Sequence, residues 1–241
     1  MSVVLYFIVI AVFSVIFTRE VIAPASGANC DKRWQFYAAA LSLAQVAAAL
    51  GAGILFNDFF RAHALFSLPA SLPAPITGFI SFVVASLVAY WWHRATHRFD
   101  ILWRVFHQLH HSPSRIESLT SFYLHPFDTV AAALINALCA YLIFGLDATA
   151  AAWGLLYAAL DNLFIHMDLR TPRWLGVLVQ RPEMHRVHHK RNFHAQNYGM
   201  PIWDLLFGTF ENPKERVIEC GFPPEAEYRV KEMLLLKDVD G

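Results

Sequence analysis

Charge is scarce in this chain. Asp, Glu, Lys and Arg together make up 16% of its 241 residues, against a norm of about 25%. The 19 basic and 19 acidic residues cancel, so bulk charge points to no nucleic-acid partner. Cysteine is scarcer still. Cys30, Cys139 and Cys220 lie far apart and form no CxxC pair, which excludes a disulfide framework and a Cys-type zinc site. No HExxH helix, solenoid-type repeat or low-complexity tail is present, and no Lys or Arg precedes the first apolar run. That run therefore reads as an uncleaved anchor rather than a cleaved signal. In place of charge, 56% of the residues are hydrophobic, with 20 Phe and 7 Trp, and there are 12 His.

Five apolar stretches follow: Val3 to Phe17, Phe36 to Leu55, Ile76 to Trp92, Thr129 to Leu146 and Ala148 to Ile165. A spanning helix needs about 20 apolar residues, so several are borderline in length. The last two, joined by Gly145-Leu146-Asp147, read as a helical hairpin. With the N-terminus outside and all five spanning, Arg61 is the only one of the 19 Lys and Arg left outside. That distribution satisfies the positive-inside rule, and the reverse orientation violates it. It places the segment from Arg94 to Pro126 and everything after Met167 on the cytoplasmic side. The stretch from Pro223 to Gly241 reads as a surface helix with a loose end.

Those cytoplasmic segments hold three histidine clusters: His93 and His97; His107, His110 and His111; His185, His188 and His189. On a helix, residues four apart differ by about 40° and an HxxHH triplet falls within an arc of about 100°. Each cluster is therefore expected to aim its imidazoles at one point, as HExxH helices do for zinc. With 12 His in 241 residues, chance supplies roughly 0.03 copies of HxxHH, and two are present. Eight neutral core histidines would each need separate hydrogen-bond partners and serve no packing purpose. Metal binding is the better reading. Imidazole suits Zn, Cu, Fe and Ni, so ligand type does not choose the metal. Eight imidazoles exceed one ion and fit two. The Glu-rich pattern of carboxylate-bridged di-iron bundles is absent.

The segments YWWHRATH, LWRVFHQLHHS, SFYLHPFD, RPEMHRVHHKRN and NYGMPIWDLLFGTF together resemble the fatty acid hydroxylase/sterol desaturase superfamily of membrane histidine-box di-iron oxygenases. The likeness covers roughly Tyr90 to Pro213, about half the chain. It implies that His93, His97, His107, His110, His111, His185, His188 and His189 are iron ligands. Related desaturases add an NxxxH element, whose spacing Asn162 and His166 match. This implies His166 as a ninth ligand and Asn162 as the holder of a metal-bound water. The resemblance further implies two Fe ions (with Zn acceptable in purified protein) and O2 as co-substrate. The implied reaction is hydroxylation, desaturation or cleavage of a lipid such as a fatty acyl chain or sterol. Electrons are expected from a cytochrome b5-like protein or ferredoxin with an NAD(P)H-dependent reductase, because neither a heme-binding segment nor a Gly-rich dinucleotide fingerprint is present.

His125, alone before a Pro, reads as a residue supporting the ligands or the fold, with a tenth ligand as the alternative. His194 reads as a loop or supporting residue, and His63 as a solvated His. Asp161 and Asp128 either orient a ligand His or are polar helix-end residues. Asp204 reads as structural. Trp91, Trp92, Trp103, Trp174 and Trp203 read as an interfacial belt. The expected fold is all-α: an integral-membrane bundle of about four to five transmembrane helices with a cytoplasmic helical cap holding a di-metal centre. The expected organisation is N-terminal transmembrane helices over 1–84, a catalytic region with two further spans over 85–215, and a surface tail over 216–241. Two other classes compete. A zinc-dependent membrane hydrolase needs a general-base Glu, and the nearby Glu117 and Glu183 lack HExxH spacing. A non-catalytic metal-binding membrane protein, such as a transporter, places ionisable groups mid-span, whereas these clusters fall at span ends.

Overall fold

The computed structural model describes residues 2–27, 31–193 and 195–239. They are mostly helical; among them is no sheet, only an isolated antiparallel bridge between Lys190 and Cys220. The long helices are α1 (Ser2–Ile22), α2 (Lys32–Ala62), α3 (Ala74–Arg98), α4 (Pro126–Ala137) and α5 (Ala148–His166). Wider π-type turns cover Trp103–His107 and, continuing α4, Leu138–Ile143. Two short helices of the cap are α6 (Pro182–His188) and α7 (Pro201–Phe207).

Among the described residues, four stretches are long and apolar enough to cross a membrane: Val4–Ile22, Ala74–Arg98, Pro126–Ile143 and Ala148–His166. The chain is an integral-membrane protein on this count. Helix α2 carries the apolar stretch Phe36 to Leu55, which contains no Asp, Glu, Lys or Arg. Local chemistry sets the starts. Asp31 accepts from the Arg33 and Trp34 amides ahead of α2, and Asp147 accepts from Thr149 and Ala150 ahead of α5, each satisfying donors that the first turn leaves open.

The long helices alternate in direction. At one end, backbone bonds join Leu65 to Leu142 and Phe66 to Ile143. At the other, the start of α2, the end of α3 and the end of α5 approach the cap. Helices α3 and α5 pack face to face. Their contact requires Gly78, where a Cβ would fall 2.6 Å from the Ala150 carbonyl oxygen and from Trp153 Cβ. This pairing brings His93 and His97 of α3 to the same level as His166 at the end of α5.

The C-terminal residues correct the expected loose surface end. Phe222, Ala226, Val230, Met233 and Val239 are buried with Trp34 of α2 and Leu109, Leu119 and Tyr123. Gly221 starts this return at φ +71°, and a Cβ there would fall 2.2 Å from the Pro113 carbonyl oxygen. The tail therefore belongs to the core beneath the cap.

Candidate metal centre

Among the described residues, nine imidazoles converge where the helices end. His93 and His97 lie one turn apart near the end of α3. The π turn Trp103–His107 runs into a short helix over Gln108–His111, presenting His107, His110 and His111. Helix α5 ends on His166. Helix α6, started by Pro182, carries His185 and His188, and His189 caps it. The π geometry at His107 has a local role: such turns often occur where a side chain must be re-aimed at a functional site.

The imidazoles form two nests. His93, His97, His107, His111 and His188 make one; His110, His166, His185 and His189 make the other. Within each nest the nitrogen atoms offered all lie within 4.8 Å of one another. The expectation that each cluster aims at a single point is corrected here. Both HxxHH clusters divide between the nests, because neighbouring residues on a helix point about 100° apart. The nests abut: the rings of His111 and His189 stack at 4.1 Å.

Several rings are anchored from behind. His93 Nδ1 lies 2.6 Å from the Tyr198 carbonyl, His188 Nδ1 lies 2.8 Å from that of Gln196, and His166 Nδ1 lies 2.8 Å from that of Asn162. A carbonyl only accepts, so each Nδ1 donates and each Nε2 keeps its lone pair. His107 Nδ1 is held by Asp128 Oδ2 at 3.1 Å, the carboxylate–histidine arrangement common behind bound metals. Nε2 of His93 and of His107 are buried without a hydrogen-bond partner. In the four-histidine nest, His166 Nε2 lies 3.2 Å from His110 Nε2 and 2.9 Å from His185 Nε2, and His185 Nε2 lies 3.1 Å from His189 Nε2. Nitrogens about 2.0–2.1 Å from one ion would be spaced by roughly 3 Å, so these distances fit an ion at the centre.

Electrostatics agree with that fit. Burial, then the neighbouring imidazoles, hold His110, His111, His185 and His189 well below the usual imidazole range. They are neutral at pH 7, which is the form that binds metal. Among the described residues no carboxylate belongs to either nest. Glu117 instead pairs with Arg115 at 2.7 Å, and Glu183 pairs with Arg181 and accepts from Thr171.

The other sequence candidates lie around the nests. The Asn162 side-chain amide donates to the Ser121 carbonyl at 3.0 Å, and its backbone carbonyl accepts from both Ser121 Oγ and His166. Asp161 contacts no imidazole among the described residues, so Asp128 alone of the two touches a candidate ligand. His125 is the N-cap of α4, its Nδ1 accepting from the Phe127 amide, and belongs to neither nest. His63 bonds the Phe59 carbonyl at the far end of α2. His194 lies outside the described residues. Asp204 is fully buried and accepts from the Tyr198 and Gly199 amides and Thr209 Oγ; burial pushes its carboxyl up to about 6. It fixes the turn whose carbonyl holds His93. Sequence reasoning missed Tyr198 and Gln196, which act through backbone carbonyls. It also assigned Trp103 to a membrane belt, whereas its ring packs 5.1 Å from His97 and 5.2 Å from His111.

The fatty acid hydroxylase profile matches residues 78–209, more than half of the chain and the region that holds both nests. The chain belongs to the fatty acid hydroxylase family. Among its relatives, the ornithine lipid hydroxylase OlsE of Rhizobium tropici is 32% identical over 151 residues, covering 60% of this chain and 45% of that protein. The alkylglycerol monooxygenase of Homo sapiens is 30% identical over 162 residues, covering 65% and 35%. The very-long-chain aldehyde decarbonylase GL1-9 of Oryza sativa subsp. indica is 27% identical over 176 residues, covering 69% and 67%. The chain thus spans less than half the length of the first two relatives. No solved structure matches it. Within this family frame, Asp128→Ala is expected to lower metal affinity about 10–100-fold, the usual effect of losing a ligand's supporting carboxylate. Competition with a metal chelator measures it, and an unchanged affinity would show that His107 needs no support from Asp128.

Proposed function

We propose that this protein is a membrane lipid oxidoreductase that uses O2, two iron ions and supplied electrons to hydroxylate or desaturate a C–H bond. The observation that carries the reading is the division of nine imidazoles, seven of them buried, into nests of five and four with, among the described residues, no carboxylate in either. Iron is the metal proposed because imidazole accepts it and because relatives are named as a hydroxylase and a monooxygenase. Bound iron would supply O2 activation and oxidation of the C–H bond. In a hydroxylation one oxygen atom enters the C–H bond and the other leaves as water, consuming two electrons and two protons from a redox donor. The donor proposed is a cytochrome b5-like protein or a ferredoxin with its reductase.

The chain's own residues do the positioning. Tyr198, Gln196 and Asn162 carbonyls and Asp128 fix ring orientation and tautomer. Burial keeps imidazoles neutral and excludes water, protecting reactive species from side reactions. The nests lie at the ends of α3 and α5, so a lipid held in the bilayer meets them without leaving it. The basic residues of the cap favour its placement on the cytoplasmic side. The competing zinc-hydrolase reading needs a general base beside the metal, and Glu117 and Glu183 are committed to Arg115 and Arg181.

The test is expression in a lipid-producing host under isotopically heavy O2, with mass spectrometry of the lipid extract. The expected result is a lipid carrying one heavy oxygen atom, or one lacking two hydrogens, absent when His185→Ala replaces the natural protein. Lipids altered only by hydrolysis would overturn the reading in favour of a hydrolase.

A further inference from the structure

Helix α7 is amphipathic in the wrong sense for water. Its buried face carries Asp204, which is fully enclosed, whereas Ile202, Leu205 and Leu206 are 51%, 55% and 65% exposed. These three lie at i, i+3 and i+4 and so share one helical face. An apolar face turned outward over a buried carboxylate is unfavourable against water, since apolar side chains are stabilised by removal from it. Beside α7, the turn over Arg173–Val177 adds exposed Trp174 and Val177 to the same patch. Contiguous apolar surface of this kind marks an interaction face.

The position of α7 identifies what covers it. Trp203 Nε1 donates to Ser86 Oγ of α3 at 2.9 Å. Phe207 packs 4.8 Å from Trp91, itself 48% exposed on α3. Arg94 donates to the Phe207 carbonyl. The helix thus lies along α3 between Ser86 and Arg94, a distance of about 12 Å at 1.5 Å per residue. A hydrocarbon layer about 30 Å thick takes up some 20 residues of helix. Counted from Ala74, that layer ends close to Arg94. The apolar face of α7 therefore lies alongside the outer part of a helix that is long and apolar enough to cross a membrane.

We propose that α7, with Trp91 and the Arg173–Val177 turn, is a membrane-embedded ledge whose occupant is the acyl chains of the bilayer. Its buried side continues directly into the metal-site support: Asp204 holds the Tyr198–Gly199 turn, and the Tyr198 carbonyl holds His93. The ledge sets the depth of the nests relative to the acyl chains. This inference stands on the membrane span and the exposed face, and does not depend on which metal is bound.

The experiment places an environment-sensitive fluorophore on Leu206→Cys, and separately on Ile202→Cys and Lys214→Cys, in full-length protein with Cys30 replaced by Ser. Cys139 and Cys220 are buried and do not compete for label. The protein is reconstituted in phosphatidylcholine vesicles with acyl chains brominated near the headgroup. The expected result is blue-shifted emission at 206 and 202, strongly quenched by bromolipid and little by aqueous iodide, with the reverse at exposed Lys214. Equal iodide quenching at all three positions would overturn the proposal by placing the face in water. Shielding from both quenchers that grows with protein-to-lipid ratio would also overturn it, by assigning the face to a second copy of the chain. The Ile202 probe reads the same face independently should Leu206→Cys fail to fold.

Discussion

His166→Ala is expected to remove one of two bound ions and bring turnover to near zero. His166 is one of four imidazoles in its nest, and its Nε2 is the one that lies nearest both His110 and His185. Its removal leaves three ligands and a gap at the centre. His97→Ala gives a different outcome, because its nest of five retains four. Metal analysis of iron-supplemented protein after chelator treatment separates the two. The natural protein is expected to hold two ions per chain, and His166→Ala about one, since an ion with fewer protein ligands is released more readily. His97→Ala is expected to retain more metal than His166→Ala while still losing turnover. His125→Ala is expected to keep both ions and to lose the cap of α4, a cost of about 1 kcal/mol, together with the contact of Nε2 to the Leu234 carbonyl. Equal metal loss from His97→Ala and His166→Ala would remove the basis for nests of unequal size. Retention of both ions and normal turnover by His166→Ala would exclude it as a ligand.

The same residues show how much of the site was legible beforehand. Spacing within the chain singles out eight histidines, because ligands supplied by one short helix recur at three and four residues. His166 was visible only through the resemblance to an NxxxH element, since it stands alone on its helix. The division into two nests was not legible: it depends on neighbouring residues facing different ways and on the π turn that ends at His107. The Tyr198 and Gln196 carbonyls carry no signature either, because every residue has a carbonyl. By contrast, the packed C-terminal segment left a readable trace. Phe222, Ala226, Val230 and Met233 recur at four, four and three residues, the spacing of a buried helical face, and the alternation of charge around them obscured it. The helical class and the four spanning stretches followed from composition and run length, which are local properties.

Glu20 lies near the end of α1, far in sequence from any histidine, and nothing in its neighbourhood marked it. It is fully buried. Its carboxylate accepts from the Asp168 amide at 2.6 Å, the Ser118 amide at 3.0 Å and Ser118 Oγ at 2.5 Å. Asp168 follows His166 by two residues and accepts from Ser26 and Arg216. Ser118 opens the turn in which Ser121 exchanges hydrogen bonds with Asn162, whose carbonyl holds His166. Glu20 therefore ties α1 to the four-histidine nest from two directions. Its replacement by Ala leaves three buried donors without an acceptor, at about 1–3 kcal/mol each. Taken at the lower bound, the loss is about 3 kcal/mol, which corresponds to a fall of about 6–12 °C in Tm for a chain of this size. Glu20→Gln keeps one acceptor oxygen and is expected to fall between the Ala variant and the natural protein. In the Ala variant the four-histidine nest is expected to release its ion to chelator before the five-histidine nest does, because only the former is anchored through Asp168 and Asn162. Thermal denaturation followed by tryptophan fluorescence, with metal analysis on the same samples, measures both effects. A Glu20→Ala protein with unchanged Tm and both ions retained would show that α1 is only an anchor, with no part in holding the nest.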